Sequence, residues 1–245
     1  MRTLYAGLLA MFLAAPTAHA VTLQADADTF IASGTGANNS LGTLGGLQAK
    51  QETNSTAPDF LILTRFDLNG ISGSIANATL TMSVFSNSFA NDGLPDFSYR
   101  FYWMSGTIGD DSWDEATATW NTFNAVQALS NQIIFIGSAS IPSNSGFNEE
   151  LSISAPLIDD ALNNDLGSDG LITFVIEAEQ TEFVTFASKE GSILGNIEPP
   201  TLTFDIVTTP PPAPVPVPAS LPLAIAALGG VTLLAGMRAQ RSKRE

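Results

Sequence analysis

Ala78–Phe85 reads ATLTMSVF, in which Leu80, Met82 and Val84 fall on one side of an extended chain and Thr79, Thr81 and Ser83 on the other. Alternation with a period of two marks a half-buried strand, because successive side chains of a pleated backbone point to opposite faces. The pattern returns in LITFVIEAE (171–179), where Ile172, Phe174, Ile176 and Ala178 share the apolar face. It serves also for FLILTRF (60–66), FSYRFYWM (97–104), QIIFIGSA (132–139), FVTFAS (183–188) and TLTFDIV (201–207). Turn-forming clusters separate these runs, among them GTGANNSLGTLGG (34–46) and IPSNSGFNE (141–149). Only APLIDDALNN (155–164) predicts a helix, with Leu157, Ile158, Ala161 and Leu162 on its apolar side. Short strands, turn-rich connections and one helix together predict an all-β fold, a jelly-roll β-sandwich with one short helix.

The chain has 245 residues, no cysteine and a single histidine, His19. With neither residue in the body of the chain, Ser-His-Asp and Cys-His nucleophiles, His- or Cys-ligated zinc or iron and haem attachment are excluded. Between Val21 and Ser220 only Lys50, Arg65, Arg100 and Lys189 carry positive charge, against every acidic residue of the chain except Glu245. That field repels nucleic acid and anionic lipid and suits divalent cations.

Both ends carry targeting patterns. MRTLYAGLLAMFLAAPTAHA (1–20) has Arg2, an apolar run from Leu4 to Ala15, and small residues at Ala18 and Ala20. That order predicts a secretory signal cleaved after Ala20, so that a single domain spans 21–209. At the far end Pro210–Pro218 reads PPPAPVPVP, a stiff extended spacer. Residues 221–237 follow without a charge, long enough as a helix for about 26 Å, and predict a transmembrane segment. Arg238, Arg241, Lys243 and Arg244 then place the tail, 238–245, in the cytoplasm.

The tail resembles the PEP-CTERM class of sorting signals, in its VPLPA variant, at Val215, Pro216, Val217, Pro218, Ala219 and Ser220. Val217 stands where that variant has Leu. The resemblance implies recognition by an exosortase, a membrane-embedded cysteine transpeptidase, and delivery to the surface or extracellular matrix of a Gram-negative cell. Residues 210–220 would be its linker and sorting motif, and the C-terminal helix would hold the chain in the membrane until processing.

DADTFIASGTGANNSLGTLGGLQAK (26–50), FLILTRFDL, IANATL, WDEATATWN, FASKE and PPTLTF follow one another in the order of the DNRLRE-type domain. That jelly-roll module is similar to carbohydrate-binding modules for alginate and related polysaccharides. Its Trp-x-Glu-x-x-x-Thr-Trp-Asn segment corresponds to Trp113, Glu115, Thr119, Trp120 and Asn121. Two departures are Asn39-Ser40-Leu41-Gly42 in place of Asn-Tyr-Gly, and Lys189 in place of Arg. The resemblance implies an acidic or neutral polysaccharide as partner and a binding protein rather than an enzyme.

Lys50, Arg65, Arg100 and Lys189 are the candidate ligand-binding cations, with Trp103 as a stacking face beside Tyr99, Phe101 and Tyr102. Their bland alternative is ion pairing, of Arg65 and Lys189 with Asp67, Glu115 or Glu190. Trp113 and Trp120 are expected in the interior. Hard oxygen ligands are abundant and softer ones absent, which makes calcium the metal the composition suits best, as a structural ion held by Asp26 and Asp28 at the first strand and Asp205 on the last. Glu177 with Glu179, about 6.7 Å apart along a strand, and Glu149 with Glu150 are carboxylate pairs that glycoside hydrolysis would need, but neighbouring acids on the solvent face of an acidic chain call for no catalytic reading. No catalytic residue is assigned, and a purely structural or adhesive surface role stands beside glycan binding.

Overall fold

The computed structural model describes residues 18–52, 57–88, 93–104, 113–123, 133–191 and 197–208. Contacts divide the chain into two units, Pro16–Thr208 and a second formed by Met1–Ala15 with Thr209–Glu245. The expected signal up to residue 17, the sorting motif and the stretch 221–237 lie outside the described residues. Among the described residues no helix is long and apolar enough to cross a membrane.

Eleven strands and one α-helix make up the described part: β1 Ala18–Gln24, β2 Ala27–Ala32, β3 Gly46–Gln48, β4 Phe60–Asp67, β5 Ser74–Ser86, β6 Phe97–Met104, β7 Ile133–Ile141, β8 Glu150–Ser154, α1 Pro156–Leu166, β9 Leu171–Ala178, β10 Thr185–Ala187 and β11 Thr201–Val207. They form two antiparallel sheets. The first runs β1-β11-β5-β10-β3, with β8 also paired to β5; the second runs β2-β4-β9-β6-β7. This is the expected sandwich, of jelly-roll class, with one helix. The expected signal cleavage falls inside β1, where Val21–Gln24 would remain paired to Thr201–Phe204 of β11.

Alternation builds the interface between the sheets. Leu80, Met82 and Val84 of β5 and Leu202 and Phe204 of β11 meet Ile172, Phe174 and Ile176 of β9 and Ile62 and Phe66 of β4, all essentially without exposure. Each such side chain contributes about 1.5–3 kcal/mol by leaving water. On β9 and β4 the alternation then fails, because Val175, Leu61 and Leu63 are buried as well. Together with Ile31, Met104 and Phe123 they form a second, smaller cluster on the outer side of the second sheet, against which Trp113 and Trp120 pack. The two indoles expected in the interior are instead half-buried, packed on the outer side of the second sheet rather than between the sheets, and Trp113 also lines a surface cleft.

Helix α1 starts at Pro156, whose missing N–H costs nothing in a first turn. It buries Ile158, Ala161 and Leu162, but Leu157, expected on the apolar side, is exposed, because one residue turns the helix by about 100° away from Ile158. Asp159 accepts the backbone N–H groups of Asn77 and Ala78, which ties the helix to β5.

Candidate functional site

Among the described residues the second cluster covers only part of the outer face of the second sheet. At its margin Tyr102 of β6 packs against the cluster, and Arg100 lies beside Glu177 of β9 and Glu179 just past its end, with β7 on the other flank. The β6–β7 register shifts between Phe101 and Tyr102, and at this irregularity Phe135 stands opposite Tyr102. The rings meet edge-on with centroids 5.6 Å apart, and Phe135 keeps 49% of its surface exposed. A half-bare aromatic ring at a bulge on an edge strand offers a flat apolar surface to solvent, on which a ligand ring can stack.

Polar groups around the rings are held in fixed positions. The Tyr102 hydroxyl donates to Glu177 Oε2 at 2.9 Å and accepts from Arg100, whose Nη2 is 2.5 Å from Glu179 Oε1. Hydrogen bonding to Tyr102 and the charge of Glu179 push the Arg100 pKa further up. Partial burial, then the Glu177 hydrogen bond and charge, raise that of Tyr102, so the phenol stays protonated. Ser98 and Ser140 extend the polar surface, their hydroxyls 3.1 Å apart. A flat apolar ring edged by carboxylates, a guanidinium and hydroxyls can stack on one face of a sugar ring while bonding its hydroxyl groups.

A second constellation lies where β2, residues 113–123 and the segment after β10 converge. Asp28 has no exposure, its Oδ2 accepts the Lys189 backbone N–H at 2.8 Å, and its backbone N–H donates to Glu115 Oε1 at 3.2 Å. Lys189 Nζ bonds Glu115 Oε2 and the Asp26 carbonyl, and lies 3.6 Å from Glu190 Oε1. Burial pushes the Asp28 carboxyl up to about 7, with the Glu115 and Glu190 charges adding to the rise against the opposing Lys189 amide. Burial depresses the Lys189 pKa, but Glu115, Glu190 and Asp28 outweigh it, so the ammonium is held above its usual range. Next to this group a cleft of about 480 Å³ is lined by Asp26, Arg65, Trp113, Asp114 and Glu115 among others.

The expected residues divide accordingly. Arg100 stands on the open face. Trp103, expected as a stacking surface, is a correction: it is 9% exposed, packs in the main core and donates Nε1 to buried Asp165 at 2.6 Å. An odd-numbered place on β6, in step with Phe97, Tyr99 and Phe101, turns its side chain inward. Lys50 pairs with Glu52 at 2.6 Å over the Phe60 ring, away from Arg100 in the sheet order. Arg65 grips Asp26 through Nε and Nη2, donates to the Trp113 carbonyl at 2.9 Å and lies over the Trp113 ring. Lys189 makes the expected pairs with Glu115 and Glu190, whereas Arg65 pairs with Asp26 rather than Asp67.

The expected calcium set is also corrected. Asp205 sits on β11 in the first sheet, opposite Ala20, with its carboxylate on Asn77 Nδ2 at 2.8 Å. The last strand does close beside the first, but that first strand is β1, while Asp28 lies on β2 in the other sheet. Asp26 is committed to Arg65. The structure brings Glu115 and Glu190 to Asp28 instead. Tyr102 is read from sequence only as a neighbour of Arg100 in an aromatic run, and Phe135, Glu115 and Glu190 are not expected ligand or metal residues, although Glu115 and Glu190 lie within the motifs of the DNRLRE resemblance.

No curated protein matches the chain. Among solved structures, a xylan-binding module CBM15 aligns over 78% of this chain and 97% of its own, at 12% identity and a TM-score of 0.37, a likeness too slight to carry an argument. The model of carbohydrate-binding module family 96 matches residues 19–198, well over half of the sequence, and the chain belongs to that family.

Proposed function

We propose that this is a non-catalytic module of DNRLRE type that holds a neutral polysaccharide on the open part of the second sheet. The observation that carries the reading is the exposed Phe135 ring set edge-on against Tyr102, with the Tyr102–Glu177 and Arg100–Glu179 contacts on the other flank of β6. Membership of a carbohydrate-binding family supports a sugar as the ligand. The charge of the face favours a neutral one: two carboxylates and one guanidinium, already paired, repel a chain of uronic acids more than they attract it. Both Glu177 and Glu179 are engaged by neighbouring side chains, which supports binding over hydrolysis.

The sequence at the two ends supports the remainder of the proposal, that the protein is exported, processed by an exosortase at the motif 215–220 and delivered to the cell surface or extracellular matrix. The helix at 221–237 would hold it in the membrane until then. Titration of the full-length chain with neutral and with uronic-acid polysaccharides tests the binding reading. Saturable heat with a neutral glycan is expected. Heat with acidic glycans alone would overturn the charge argument, and silence with both would leave a structural surface protein.

A further inference from the structure

We propose that Asp28, Glu115 and Glu190 form a site for a divalent cation, calcium by its donor chemistry. One carboxylate oxygen from each lies within 4.8 Å of the others. Two of the oxygens in this group, Asp28 Oδ1 and Glu190 Oε2, are buried with no hydrogen-bond partner. A buried acceptor left without a partner is costly, and few native groups tolerate it unless an ion or ordered water completes them. An ionised carboxylate can only accept, so the partner that satisfies several of them together is a cation.

Lys189 does not meet that need. Its ammonium is directed at Glu115 Oε2 and the Asp26 carbonyl, and reaches the outer oxygen of Glu190 only at 3.6 Å. Three carboxylates beside one ammonium leave a surplus of two negative charges at a site whose central member, Asp28, is fully buried. A divalent ion cancels that surplus. Calcium accepts irregular carboxylate sets at 2.3–2.6 Å, which puts opposite ligands up to about 5 Å apart; magnesium holds them at about 4 Å and keeps several waters.

Two glycines fix the ligands in place. A Cβ on Gly42 would lie 2.0 Å from the Glu115 carbonyl oxygen, and one on Gly191 would lie 1.8 Å from that of Gly45. The loop carrying Gly42 and Gly45 therefore packs by bare backbone against both Glu115 and the segment that carries Glu190. Ser188 completes the brace, donating its hydroxyl to the Leu44 carbonyl at 2.8 Å and accepting the Gly191 N–H at 3.0 Å. Such pre-positioning lowers the cost of gathering like charges before the ion arrives.

The rival is a proton shared by the carboxyl groups with Lys189 as the resident cation. Metal-free full-length protein at pH 7.5 is titrated calorimetrically with CaCl2 and with MgCl2, and melted with and without each. One saturable calcium site and a rise in Tm of about 5–10 °C near hundredfold saturation are expected. Asp28→Asn and Glu190→Gln should each abolish the heat and the shift while still melting cooperatively; Asp67→Asn, an exposed carboxylate on β4, should keep both. Absence of calcium heat in the cooperatively melting wild type, or a response that survives in both site variants, would overturn the proposal. An equal response to MgCl2 would overturn the choice of calcium.

Discussion

Tyr102 donates its hydroxyl to Glu177 at 2.9 Å across two neighbouring strands of the second sheet, and the same ring leans edge-on against Phe135. One side chain thus fixes a carboxylate and supports the exposed aromatic face. Tyr102→Phe should keep the ring contact and release Glu177, lowering glycan affinity about 3- to 10-fold at a stability cost of about 1 kcal/mol or less. Titration beside denaturant melts separates the two.

Asp28 should give the metal-free protein a pH dependence opposite to that of an ordinary paired carboxylate. Below about pH 4 its carboxyl is protonated in both folded and unfolded chains. From about 4 to about 7 the unfolded chain releases the proton and the folded chain keeps it, so the stability this group confers is lost as pH rises. In chelator, Asp28→Asn should match the wild type at pH 4 and exceed it at pH 7.5 by on the order of 4 kcal/mol. Denaturant melts at the two values measure the difference, and a gap that shrinks with rising pH would refute the direction of the shift.

Trp103 tests the inward reading of β6. Trp103→Phe removes a hydrogen bond to an ionisable acceptor that is fully buried, and leaves a small void, at a cost of about 2–4 kcal/mol. Glycan affinity of the folded variant should be unchanged. Loss of affinity without loss of stability would return Trp103 to the binding face.

Processing at the C-terminus is checked by mass. Protein recovered from the surface of exosortase-bearing cells should lack the residues beyond the 215–220 motif, and replacing Pro216 and Pro218 with Ala should leave the mass of residues 21–245 in the membrane fraction. An intact C-terminus on the surface form would contradict sorting by cleavage.

The inner faces were legible because alternation is a local property: Leu80, Met82 and Val84, or Ile172, Phe174 and Ile176, need no knowledge of the partner sheet. Leu61, Leu63 and Val175 lie on the opposite phase, and burial there comes from residues 113–123 folding back over the sheet, which no period in β4 or β9 announces. Arg100 stood out as one of few cations, and Asp28 by its place at a strand start. Phe135 did not, since a register shift in the β6–β7 pairing decides what it faces. Glu115 meets Asp28 from 87 residues away, and only the tertiary fold makes that approach.

Phe135 offers the most direct measurement. Full-length wild type, Phe135→Ala and Phe147→Ala are titrated with the same neutral polysaccharide; Phe147 is exposed to a similar degree but lies before β8, which joins the first sheet. Phe135→Ala should weaken binding by about tenfold or more with little change in stability, and Phe147→Ala should bind as the wild type does. Equal binding by Phe135→Ala and the wild type would contradict the account and move the glycan off this face.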